Sequence, residues 1–173
     1  MLNRFLKTLG WFVLTLALQV LIFDHVHILC HATPFVAVYF VMLFNGESNR
    51  SEILLWSFAM GIIADTFTNT PGVATLSLTT LAMIQPWLLK FHSNTEDEDD
   101  VPVPSAAKMG WGPYMRYISV GVIIAETIFY LLETFSFFNA IDLLLNTVGS
   151  ALLTILIIAA IEGVRISNKR AAA

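Results

Sequence analysis

Two rows of polar residues at helical spacing run through the most apolar stretches of this 173-residue chain. Asp142, Asn146, Ser150 and Thr154 recur at intervals of four, which places them on one face of a helix with Gly149 beside them. Ser119, Glu126, Tyr130 and Glu133 follow at steps of seven, four and three, again one face. Shorter sets are Thr8, Thr15 and Gln19, and Thr75 with Thr79. Carboxylates in apolar helices are costly and mark proton, ion or ligand chemistry more often than surface acids do. Three uses fit such rows: hydrogen bonds between helices, grip on a partner helix, or conduction. Interhelical bonds of this kind contribute about 0.6 kcal/mol each on average. Because lipid cannot satisfy them, the rows are expected to face the interior of a bundle or a partner. Glu126 lies ten residues beyond Arg116, about 15 Å of helix. No lysine or arginine shares its depth. It is expected to be neutral, or to hydrogen-bond Ser, Thr or Asn groups.

The other reactive side chains make weaker patterns. His25, His27 and His31 stand near Cys30 and Asp24, and alternate imidazoles on an extended loop can share a metal. No second ligand group accompanies them, so they read as interfacial histidines, with no metal or other cofactor expected. A Gly-x-Ser-x-Gly elbow, a His-Glu-x-x-His pair and a phosphate-binding glycine loop are all missing from the sequence. No enzyme activity and no nucleic-acid partner is expected. The single cysteine excludes an intrachain disulfide.

The elements that would carry these residues are apolar helices. The chain is 57% hydrophobic and 13% charged, against about 25% charged in soluble domains. A membrane-crossing helix needs about 20 apolar residues. Six segments approach that length: 5–23, 27–44, 51–67, 72–91, 114–135 and 141–164. The second is the weakest, because His31 and Pro34 interrupt it. Charge supports it nonetheless. With six spans and both termini inside, all nine basic residues (Arg4, Lys7, Arg50, Lys90, Lys108, Arg116, Arg165, Lys169 and Arg170) fall on the inner side. Without the second span, Arg4 and Lys7 separate from the other seven. Cytoplasmic loops of inner-membrane proteins collect Lys and Arg, so the expectation is an all-α, six-span inner-membrane domain with cytoplasmic termini. The tryptophans Trp11, Trp56, Trp87 and Trp111 lie toward the inner ends of their spans, as an interfacial belt would.

The connections follow. Outer ones surround residues 24–27, 68–71 and 136–140, all short. The first span reads as an uncleaved helix, since no small-x-small cleavage site follows it. The long inner connection, 92–113, carries Glu96, Asp97, Glu98, Asp99 and Asp100 before Pro102 and Pro104. It reads as a solvated, disordered spacer, or as a docking segment for a basic cytoplasmic partner. No internal repeat is visible.

One local pattern is more specific. Gly61, Ile62, Ile63, Ala64, Asp65 and Thr66 close the third span, and Pro71, Gly72, Val73 and Ala74 open the fourth. Ser57, Gly61 and Ala64 would let another helix approach closely. A carboxylate near a helix C-terminus is disfavoured by the helix dipole. Asp65 therefore needs a compensating contact, and a turn capping the next helix would supply it. This Gly-x-x-x-Asp pattern, with Gly72 and a small residue after it, resembles the rod shape-determining MreD family. So do the length, the short outer loops and the basic N-terminus and tail. The long acidic linker departs from the compact pattern of that family.

The resemblance implies a non-enzymatic inner-membrane subunit of the machinery for lateral wall synthesis. The implied partners are a bitopic MreC-like protein, an actin-like MreB filament protein, and a peptidoglycan glycosyltransferase and transpeptidase, all at the lipid bilayer. It singles out Gly61, Asp65 and Gly72. It also implies a fold similar to the substrate-binding subunits of energy-coupling-factor vitamin transporters. A transporter role is the alternative, although the Ala-x-x-x-Ala docking surface of those subunits is missing from a first span whose only alanine is Ala17.

Overall fold

The computed structural model describes residues 2–21, 33–93, 103–134 and 140–171. Among these residues every regular element is a helix, so the class is all-α. Five helices are long: α1 (Leu2–Leu21), α3 (Arg50–Thr68), α4 (Val73–His92), α6 (Trp111–Thr134) and α7 (Ala140–Ala171). Two are short: α2 (Ala37–Met42) and α5 (Ala106–Met109). Within α6 and α7, the segments Trp111–Glu133 and Leu144–Ser167 are long and apolar enough to cross a membrane, and Phe5–Val20 is a shorter apolar helix.

The long helices pack in chain order, α3 along α4, α4 along α6 and α6 along α7, with α1 against α3. The centre is filled by α2, which touches α1, α3, α4 and α6. Every side chain from Phe35 to Met42 is buried. A helix apolar on all sides belongs in a core, and six residues are too few to hold a helix by themselves.

This corrects the second expected span. Residues 27–44 do not form one helix across their described part. The backbone is irregular at Thr33–Phe35 and helical only from Ala37. Pro34 explains the break: it has no N–H to donate, and it disfavours helical geometry in the residue before it. The connection 92–113 also differs from a continuous linker. Ser105 caps α5 by accepting from the Ala107 N–H, and α6 already begins at Trp111. The acidic run Glu96–Asp100 lies outside the described residues.

Helix α7 is arranged inside-out. Ser150, Thr154 and Glu162 are fully buried, while Leu144, Leu145, Val148, Leu152 and Leu156 are more than half exposed. Large apolar side chains also cover the outside of α3 and α4, among them Leu55, Met83, Trp87 and Phe91.

Candidate functional site

The break before α2 leaves backbone groups without helical partners. A buried N–H or C=O left unpaired costs about 1–3 kcal/mol. Side chains from the surrounding helices take up these groups. The Thr33 N–H donates to Ser150 Oγ at 3.1 Å, and the Phe35 N–H to Thr154 Oγ1 at 3.0 Å. Gln19 reads the backbone twice: its Nε2 donates to the Pro34 carbonyl at 3.3 Å, and its Oε1 accepts from the Ala37 N–H at 3.2 Å. The other end of α2 is held in the same way. Tyr117 donates to the Met42 carbonyl at 3.1 Å, and Gln85 Nε2 donates to the Phe44 carbonyl and to Tyr117 Oη, both at 2.9 Å. The polar rows of α1 and α7 thus serve the backbone of the broken segment as well as neighbouring helices.

Glu126 enters this network from α6. Thr154 Oγ1 donates to its Oε1 at 2.6 Å. Its Oε2 has no hydrogen-bond partner, although the side chain is completely buried. Tyr130 and Ser150 join hydroxyl to hydroxyl at 2.6 Å, and Thr33 reaches Tyr130 Oη at 3.0 Å. A cavity of about 340 Å³ lies alongside, bordered by Glu126, Tyr130, Glu133, Gln19 and Thr33, and reaching Thr68 and Thr70 at the α3–α4 turn.

The turn itself is a tight unit. Asp65 Oδ1 accepts from the Ala74 N–H at 2.8 Å; Oδ2 accepts from the N–H groups of Gly72 at 3.1 Å and Thr75 at 3.0 Å, and from the Thr75 hydroxyl at 2.5 Å. These are the first amides of α4, which carry the positive end of its dipole. The compensating contact that Asp65 needs is therefore the N-terminus of α4. Gly72 has φ +87°, a conformation that favours glycine. At Gly61 a Cβ would stand 2.3 Å from the Thr75 Cα, so only glycine lets α3 and α4 approach this closely. Ser57 and Ala64 are buried on the same helix. The small-residue face of α3 is filled from within the chain.

A second carboxylate ties the opposite end together. Glu162 Oε2 accepts from the Tyr39 hydroxyl at 3.1 Å and from Arg165 Nη1 at 3.2 Å. Its Oε1 accepts from Ser105 Oγ at 3.2 Å and the Ala106 N–H at 3.3 Å. Arg165 also lies over the Trp11 ring, 5.5 Å from its centroid.

No family model, curated protein or solved structure matches this chain.

Of the residues singled out from sequence, Glu126, Tyr130, Ser150 and Thr154 meet in one network. Glu133 borders the cavity from an exposed position rather than from the bundle interior. Asn146 is half-buried, and its Oδ1 has no hydrogen-bond partner. The side chain of Asp142 and the cluster His25, His27, Cys30 and His31 lie outside the described residues. Among the described residues no group of three or more His, Cys, Asp or Glu could hold a metal. Sequence reasoning missed Glu162, Gln85 and Tyr117. For Glu162 the signal was present: the four-residue row of α7 continues from Thr154 through Ile158 to Glu162.

Proposed function

We propose that this chain is a non-enzymatic, multi-pass subunit of the bacterial cell-elongation machinery in the inner membrane. In this reading α1, the broken α2 segment, α3, α4, α6 and α7 make six crossings, with both termini in the cytoplasm. The inside-out α7 supports the membrane placement, since a helix with buried hydroxyls and carboxylates and exposed leucines suits lipid and not water. A crossing with irregular backbone is tolerated in a bilayer where it is enclosed by protein. Phe35–Met42, enclosed by the long helices, meets that condition.

The observation that carries the functional reading is the α3–α4 hairpin. Gly61, Asp65 and Gly72 are the positions on which the resemblance to MreD proteins rests, and each has a defined part in one packed, capped unit. As a scaffold, the protein would hold the membrane helix of an MreC-like bitopic protein and connect an MreB-like filament to peptidoglycan glycosyltransferase and transpeptidase. An outer face carrying acids and no basic residue suits a basic juxtamembrane segment in that partner, with charge setting orientation and encounter rate more than affinity. Photo-crosslinkers placed at Thr68, Asn69 and Thr70 test this in cells. Crosslinks to the bitopic partner are expected. Adducts with lipid alone at all three positions would oppose it.

The cavity beside Glu126 favours a second reading, a substrate-binding membrane subunit for a small molecule. A buried carboxyl with an unpartnered oxygen at the edge of a cavity is a feature of binding sites. A purified-protein binding screen separates the two readings.

A further inference from the structure

The cavity beside Glu126 has a chemical bias. Glu126 borders it, and its Oε2 is buried without a hydrogen-bond partner. Glu133, two turns further along α6, borders the same space. Phe35 and Phe129 also border it, with ring centroids 5.0 Å apart, and Phe129 packs edge-on against Tyr130 at 5.6 Å. No lysine, arginine or histidine is among the described residues that border it.

We propose that this cavity is a binding site for an ammonium group. A buried carboxylate oxygen is best satisfied by a charged N–H donor, which makes a shorter and stronger bond than a neutral one. Aromatic faces attract the same cation. An anion would meet two carboxyl groups and no basic residue among the described lining. A calcium ion would require six to eight oxygen ligands, and the described lining offers only two carboxyl groups, with no third acidic residue grouped with them. The ammonium can come from a free amine entering past Thr68 and Thr70, or from the headgroup of phosphatidylethanolamine. The inference stands apart from the shape-determining role, and it narrows the second reading from a small molecule to an amine.

The test uses the full chain in nanodiscs of phosphatidylglycerol. One arm titrates propylammonium, with propanol as the neutral control. The other arm adds phosphatidylethanolamine, with phosphatidylcholine as the control for a hindered cation. Thermal stability and calorimetry give the readout. Saturable stabilisation by propylammonium but not propanol supports the site. Stabilisation by phosphatidylethanolamine alone supports it and identifies the headgroup as the source. Glu126→Gln should weaken binding about tenfold or more, the effect of removing one charge-assisted bond. Phe129→Leu should weaken it severalfold while leaving the hydrogen-bond network in place, which covers the case of a Glu126→Gln protein that does not fold. Ser57→Ala, on a buried face of α3 that does not border the cavity, should bind as the parent does. Equal stabilisation by propanol, no response in either arm, or full affinity in both Glu126→Gln and Phe129→Leu would overturn the proposal.

Discussion

Thr154 and Glu126 are joined by a 2.6 Å hydrogen bond, and the same threonine hydroxyl accepts the Phe35 N–H at 3.0 Å. One hydroxyl thus serves both one oxygen of a buried carboxyl on α6 and the broken backbone ahead of α2. Thr154→Val keeps the shape and removes both bonds. It should cost about 2–6 kcal/mol, because two buried groups lose their partner at about 1–3 kcal/mol each. Ser57→Ala is the matched control: Ser57 Oγ is buried without a hydrogen-bond partner, so its removal should be neutral or stabilising. Denaturant unfolding in detergent checks the contrast. Equal losses in the two variants would contradict the role given to Thr154.

The contact between Asp65 and α4 carries a second expectation. Asp65→Ala leaves three amides and the Thr70 and Thr75 hydroxyls without this acceptor, where loss of an ordinary N-cap costs about 0.5–2 kcal/mol. A loss at or above the top of that range, about 2 kcal/mol, is expected because several donors share this one carboxylate. Asp65→Asn should retain part of the stability, since its amide oxygen still accepts. Thermal unfolding would oppose the capping role if Asp65→Ala matched the parent.

Gly61→Ala adds one methyl against the Thr75 backbone. Overpacking of this kind costs about 1–3 kcal/mol, and here the obstacle is main chain rather than a flexible side-chain tip. Cysteine pairs across α3 and α4 should crosslink more slowly in this variant. An unchanged crosslinking rate would show that the helices have room to spare.

Glu162 holds Ser105 and Ala106 against α7. Glu162→Ala should release this attachment and speed limited proteolysis between Val103 and Gly110, while the α3–α4 turn stays protected. If cleavage rose equally at both places, the effect would be general destabilisation and not loss of a local clamp.

The parts of this architecture legible in the sequence are those written in local spacing. Asp65 announces its cap because an acid at a helix end needs a donor, and the next helix begins a few residues on. The α7 row announces a buried face because a period of four in an apolar run has few other uses. The broken second segment was legible only as a warning from His31 and Pro34, since its stability comes from Gln19, Gln85, Tyr117, Ser150 and Thr154, which are distant in sequence. Glu162 was hidden for a different reason. Its neighbour Arg165 makes it look like half of a surface pair, whereas three of its four bonds reach other parts of the chain. The assignment of polar rows to helix–helix bonding was incomplete because a break in α2 creates backbone demand that no periodicity reveals.

Depletion of the protein in the cell that encodes it, which the proposed function requires to be a rod-shaped bacterium, tests that reading most directly. Cell width and aspect ratio are followed by microscopy as the protein is lost. The expected result is progressive rounding from rods to spheres, rescued by the parent chain and poorly by Asp65→Ala. Normal rod growth after complete depletion would contradict the proposed role in cell elongation.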